Sequence, residues 1–205
     1  MFFSVSCPVC GAPGAAPCRR CAARLRPAPD LPTPDGLDGL VAALSYTGTG
    51  RELVARLKYR NARAVLPALA DAVAALVDPA TVDVVTWAPT SAARRRERGF
   101  DQARLLAGAV ARRLHRPCRS LLTREPGPAQ TGRPRRERLT GPKFTVARRP
   151  PRRVLVVDDI VTTGATMLAA GRALKAAGAI AVKGAAAART PLKATDALSD
   201  AAGDG

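Results

Sequence analysis

Aromatic side chains make up only 3% of this 205-residue sequence, with a single Trp. Platforms for stacking nucleobases are correspondingly few. Acids are short relative to bases, 16 Asp and Glu against 33 Lys and Arg, which leaves a net charge of +17. No uncharged apolar run reaches membrane length. No basic-then-apolar leader precedes the first cysteines, and no G-x-x-x-x-G-K followed by Ser or Thr is present. These absences exclude a membrane-spanning protein, a collagen, a coiled-coil rod, a disulfide-dense secreted mini-protein and a Walker-type NTPase. The hydrophobic fraction, 47%, supports one ordinary core and a small appendage. The charge predicts a surface that attracts polyanions. Its bland source is also visible, since 28 of the 33 basic residues are Arg, as GC-rich coding produces.

Composition divides the chain into four pieces. Residues 1–26 are punctuated by Cys, Gly and Pro and are too short for a core of their own. Residues 27–39, with Pro27, Pro29, Pro32 and Pro34, read as a stiff, extended linker. Residues 40–193 alternate strand-like and helix-like patterns, and residues 194–205 are small and polar, the pattern of a disordered tail. Strands are expected at Leu40–Tyr46, Val82–Trp87, Val154–Val157 and Ile180–Ala186. Helices are expected at Arg51–Arg60, Ala64–Val77, Gln102–Leu114 and Ala165–Ala177. Such alternation predicts an α/β fold, a parallel sheet covered by helices on both faces. Two basic stretches, Ser91–Arg113 and Arg124–Arg153, are expected to flank the strands at the ligand-binding edge of the sheet.

Four cysteines, Cys7, Cys10, Cys18 and Cys21, form two C-x-x-C knuckles. Four thiolates at this spacing close tetrahedrally around one Zn²⁺ and leave no open position, so the metal would be structural. A redox C-x-x-C is the alternative, and a reducing cytoplasm the expected compartment. Cys118, in an apolar stretch, is expected in the core, and His115, among arginines, at the surface.

The strongest signal is Val154-Leu-Val-Val-Asp158-Asp159-Ile-Val-Thr162-Thr163-Gly164-Ala165-Thr166. It reads as a buried strand that delivers two adjacent carboxylates, then a hydroxyl- and glycine-rich turn that opens a helix. Backbone N–H groups at a helix start form a phosphate cradle, and Gly164 permits close approach. The carboxylates cannot serve the same phosphate. They suit hydrogen-bond donors or a cation, and a ribose 5-phosphate fits both halves.

This segment resembles the phosphoribosyl-pyrophosphate (PRPP) loop of the type I phosphoribosyltransferases. Together with the Cys pairs, Tyr46-Thr-Gly-Thr-Gly-Arg51, Leu57-Lys58-Tyr59 and Arg98-Gly99-Phe100-Asp101-Gln102, it is similar to the ComF competence family, bacterial proteins linked to natural transformation. The resemblance implies Asp158 and Asp159 on the ribose hydroxyls, and Thr162, Thr163, Gly164, Ala165 and Thr166 around the 5-phosphate. It implies a pyrophosphate loop at Ala88–Ser91, including Pro89 and Thr90, and a mobile catalytic loop at Arg124–Gly141. There Arg133, Arg135 and Arg136 would clamp departing pyrophosphate with Mg²⁺. Asp101 stands where the family usually has Asn. Two functions follow as expectations: transfer of ribose 5-phosphate from PRPP to an unidentified acceptor, or PRPP recognition kept by a non-catalytic accessory of the DNA-uptake machinery. In the second, Arg94, Arg95, Arg96 and Arg98 would hold single-stranded DNA through its phosphates.

Overall fold

Short runs of Val, Leu and Ala pair into one parallel sheet, and the helices between them carry the chain back across its faces. The computed structural model describes residues 6–30, 32–58, 64–92, 96, 99–126 and 141–191. The expected tail, Tyr59, Arg94, Arg95, Arg98, Arg133, Arg135 and Arg136 lie outside the described residues. In chain order come α1 (Arg19–Ala22), β1 (Leu40–Ser45), α2 (Gly48–Ala55), α3 (Leu66–Ala74), β2 (Val84–Trp87) and α4 (Gln102–Arg113). Then follow β3 (Leu122–Arg124), β4 (Phe144–Val146), β5 (Arg153–Val161), α5 (Ala165–Ala176) and β6 (Ala181–Arg189).

The sheet order is β1-β6-β5-β2 with every pairing parallel, and β3 and β4 form a separate antiparallel hairpin. Successive strand residues face opposite sides. Val85, Leu155, Val157 and Ala185 therefore meet Leu53 of α2, Leu69 and Val73 of α3, and Leu106 and Val110 of α4. Val84, Val154, Val156 and Val182 meet Met167, Ala170 and Leu174 of α5, with Leu121 and Leu122 at the hairpin. The α/β expectation, helices on both faces, is met. No helix among the described residues is long and apolar enough to cross a membrane.

Both open edges of the sheet are covered. Residues 26–28 lie antiparallel to β1, with Ser45 N–H donating to the Arg26 carbonyl and Ala28 N–H to that of Ala43. Residues 117–119 run beside β2, with Val85 N–H donating to the Pro117 carbonyl and Arg119 N–H to that of Val85. That placement corrects one expectation. Cys118 is exposed rather than buried, because it flanks an edge strand while only its neighbours Leu121 and Leu122 reach the core.

The Pro-rich segment is packed. Leu37 is buried against α5, and a Cβ on Gly171 would stand 2.7 Å from the Gly36 carbonyl oxygen. Asp38 N–H donates to the Val182 carbonyl, and its carboxylate accepts from Val182 N–H at 2.7 Å. Pro34 reaches the turn ahead of α5, where a Cβ on Gly164 would lie 3.0 Å from its Cγ.

A second correction concerns charge. The basic run at residues 148–153, expected at the ligand-binding edge, leads instead into the start of β5, at the opposite, N-terminal edge of the sheet. Arg153 is engaged there by Asp83, and the Arg152 carbonyl accepts from Ile180 and Ala181 N–H at the start of β6. Arg112 and Arg113, at the far end of α4, lie toward that same edge.

Candidate functional site

β5 extends four residues beyond the expected Val154–Val157 and carries both carboxylates within the strand. Ladder pairing with β6 continues through them, Asp158 opposite Ala186 and Ile160 opposite Ala188. Each carboxylate folds back on the chain: Asp158 Oδ1 accepts from Asp159 N–H at 2.8 Å, and Asp159 Oδ1 from Ile160 N–H at 2.9 Å. Burial and the adjacent charge of Asp159 push the Asp158 carboxyl well above the usual carboxylate range.

The turn after β5 has the expected form. Gly164 sits in the left-handed region at φ +77° and forms the N-cap of α5, a conformation that a Cβ would strain. Thr162 and Thr163 are exposed, and the Thr163 hydroxyl accepts from Ala165 N–H at 3.4 Å. The first-turn N–H groups of a helix have no intrahelical acceptor, so this end presents donors and a positive dipole. Asp158 and Thr162 to Thr166 line one small concavity.

The end of β2 meets the same place. Trp87 pairs with Val157, and Ala88 N–H donates to the Val157 carbonyl, which sets Pro89 and Thr90 beside the start of the acid pair. Across from them begins α4. Its N-cap is Asp101, a carboxylate only 8% exposed: Oδ1 accepts from Arg104 N–H at 3.3 Å and Oδ2 from Thr90 N–H at 3.1 Å. The charge of Asp101 adds to those that raise Asp158. Asp immediately before a helical run is a capping signature readable in sequence, but its second bond, to a loop eleven positions earlier, is not. Arg104, in the first turn of α4, lies over the Trp87 ring at 5.7 Å.

The structure thus brings together Asp158, Asp159, Thr162, Thr163, Gly164, Ala165, Thr166, Pro89 and Thr90. Of the expected DNA contacts, only Arg96 is described, and it is exposed. The catalytic-loop arginines are not described, but the chain re-enters at Gly141 against the start of α5. A Cβ there would come within 2.5 Å of the Ala165 carbonyl oxygen. Beyond it a groove of about 510 Å³ separates β4 from α5, lined by Lys143, Phe144, Ala165 and Arg172 among others. His115 is exposed, as expected, and follows the C-terminal end of α4. A twelve-residue helix spans about 18 Å, so it stands well away from the acid pair.

The second cluster is the cysteine module. Cys7, Cys10, Cys18 and Cys21 place their sulfurs within 4.8 Å of one another, with Cys10 and Cys18 Sγ 3.7 Å apart. A tetrahedron with Zn–S near 2.3 Å requires sulfurs about 3.8 Å apart. The set therefore fits zinc. Backbone donors aim inward, since Cys18 N–H points at the Cys7 sulfur at 3.4 Å. Burial raises the Cys7 thiol, but N–H groups of Cys18, Cys10 and Val9 outweigh it and bring the thiol down to about 6. Cys21, buried and surrounded by the other three, is pushed up to about 12. Val9 and Leu25 pack the module against the core on the face of the sheet that carries Leu53, Leu69 and Leu106.

Residues 102–200 match the phosphoribosyl transferase domain family. The competence protein ComFC of Bacillus subtilis (strain 168) is 29% identical over 184 residues, covering 82% of this chain and 70% of that protein. Among solved structures, purine phosphoribosyltransferase from Pyrococcus horikoshii Ot3 aligns with a TM-score of 0.43 at 17% identity, over 63% of this chain and 76% of that one.

Proposed function

We propose that this chain, a homologue of ComFC that carries a phosphoribosyl transferase domain, binds PRPP at the C-terminal edge of its sheet and transfers ribose 5-phosphate to a nitrogen acceptor. The observation that carries this reading is the joint placement of a carboxylate pair and a left-handed glycine turn on one strand end. The 5-phosphate would lie over Gly164 and the first turn of α5, held by N–H groups and the Thr162, Thr163 and Thr166 hydroxyls. Asp158 and Asp159 would accept from the ribose hydroxyls, fixing the ring with C1 toward the Pro89–Thr90 loop. The bond from C1 to pyrophosphate oxygen breaks, pyrophosphate departs with the electron pair, and the acceptor nitrogen bonds to C1 and releases its proton. An oxocarbenium-like transition state needs orientation and charge stabilisation more than covalent help. Mg²⁺ bound with PRPP would supply countercharge for pyrophosphate, alongside Arg133, Arg135 and Arg136.

In the cysteine module, Cys7, Cys10, Cys18 and Cys21 would hold one structural Zn²⁺. Structural zinc contributes about 10–16 kcal/mol of apparent binding free energy, the largest single stabilising contribution expected in this chain. Elemental analysis should find one zinc per chain, and chelation should abolish ordered structure in residues 6–26. Protein purified without chelator that holds no zinc overturns this assignment.

Thermal unfolding with and without PRPP and Mg²⁺ tests the main reading. Ligand at 100 times its Kd stabilises by about 2.7 kcal/mol, a shift of several degrees for a domain of this size. Absence of any shift overturns it. Release of pyrophosphate in the presence of candidate amines then tests turnover.

A second reading rests on a different observation. Arg148, Arg149 and Arg152 are exposed at the N-terminal edge, away from the acid pair, and none forms an ion pair among the described residues. Such a surface suits the phosphates of single-stranded DNA, as expected of an accessory of DNA uptake.

A further inference from the structure

The buried carboxylate of Asp101 does more than end a helix. A cap needs one acceptor oxygen, and Oδ1 supplies it to Arg104 N–H. The other oxygen reaches across to Thr90 N–H at 3.1 Å. Ala88 N–H is fixed in turn to the Val157 carbonyl, one residue before the acid pair. The short segment from Ala88 to Thr90 is therefore held from both sides, by β5 at one end and by Asp101 at the other. Gly99, at φ +78°, lets the chain turn into this position just ahead of Asp101. The carboxylate is largely excluded from water, at 8% exposure, so the bond to Thr90 N–H is not readily exchanged for solvent.

We infer that Asp101 is a positioning residue. It fixes the loop after β2 in the conformation that receives the pyrophosphate end of the substrate, without touching the substrate itself. This rests on the PRPP reading above, in which residues 88–91 meet pyrophosphate and Asp158, Asp159 and the Gly164 turn meet the ribose 5-phosphate. The two halves of the substrate are therefore held by separate parts of the chain, and Asp101 acts on one of them.

Asp101→Ser separates capping from positioning. Serine is a good N-cap, so α4 keeps its start, but its single short hydroxyl cannot also reach Thr90. The probes are Mg²⁺-pyrophosphate and ribose 5-phosphate, each titrated alone against the full chain with fluorescence of Trp87, its sole tryptophan, and with calorimetry. The expected result is a five- to twenty-fold loss of affinity for Mg²⁺-pyrophosphate, with affinity for ribose 5-phosphate within twofold of the parent. A purely structural role would lower both or neither, and either outcome overturns the inference. If the parent chain itself binds neither probe, the PRPP reading fails instead. Should Asp101→Ser not fold, Asp101→Thr, another capping residue, is read by the same ratio of affinities.

Discussion

At the N-terminal edge of the sheet, Asp83 receives the guanidinium of Arg153 and Asp38 receives Lys175 Nζ at 2.9 Å. At the C-terminal edge, Asp158 and Asp159 stand side by side, and neither forms an ion pair among the described residues. The titration behaviour follows. Arg153 holds the Asp83 carboxyl below the usual range, and Lys175 with Val182 N–H does the same for Asp38, while burial and Asp159 push Asp158 up. One edge carries carboxylates paired with basic side chains, and the other carries an adjacent acid pair that accepts from N–H groups of its own strand. A perturbed acid with no cationic partner in a concavity, as Asp158 is among the described residues, makes a candidate site. Paired acids at strand starts mark structure.

Substitutions at the two edges should therefore differ most in ligand response. Asp158→Asn with Asp159→Asn is expected to abolish the stabilisation by PRPP and Mg²⁺, about 2.7 kcal/mol at 100 times Kd. Asp83→Asn should leave that stabilisation intact. Thermal shift on the three proteins reads both, and an unchanged shift in the double variant removes the ribose assignment.

The next contrast is smaller and concerns the unliganded protein. Because the folded pKa of Asp158 is raised, folding favours its neutral form. Its contribution is present at low pH and is lost as pH rises through the folded value. Asn mimics the neutral carboxyl, so Asp158→Asn should raise Tm by a few degrees at pH 7 and by less toward pH 4. Asp83 has the opposite sign. Its pKa is depressed, so its contribution is present above the unfolded carboxyl range and is lost as pH falls through the folded value. The pair is partly exposed, at 48% and 30% for Arg153 and Asp83, so Asp83→Asn should cost only about 0.5–1 kcal/mol at pH 7. Melts across pH 4–8 showing the same sign for both substitutions would erase the distinction between the edges.

This contrast also explains what is legible in the sequence. The acid pair, the glycine turn and the cysteine knuckles are local patterns, and local chemistry suffices to find them. The length of β5 is not legible, since two aspartates read as the end of a strand, whereas pairing with β6 carries the ladder through them to Val161. β6 itself runs to Arg189 through four consecutive buried alanines, residues with little strand preference, because pairing with β1 on one side and β5 on the other, under helices on both faces, decides its conformation. The packing of the Pro-rich segment escapes sequence reading because it rests on Gly171, a glycine unremarkable until Gly36 and Leu37 are seen against it. Charge misleads for a related reason. Counting arginines along Arg124–Arg153 cannot tell which end of a strand they precede, and residues 148–153 precede the end remote from the acids.

That separation gives the smallest expected effect. If single-stranded DNA binds the arginines of the N-terminal edge, Arg148, Arg149 and Arg152 neutralise phosphates that never meet the PRPP site. Removing one arginine that neutralises a phosphate should flatten the slope of log affinity against log salt by about 0.7, so replacing all three with Ala should flatten it by about two units. PRPP at saturation should leave DNA affinity within twofold, because the two ligands occupy opposite edges. A grip through Arg94, Arg95, Arg96 and Arg98 predicts otherwise. Those arginines lie in the sequence between the Pro89–Thr90 loop and Asp101, so PRPP bound as proposed would then compete with DNA. Arg19, Arg20 and Arg24 of the cysteine module serve as the control triple. Equal flattening by the control would mean a diffuse attraction of polyanions to a chain of charge +17, and the N-terminal edge would lose its claim as a DNA surface.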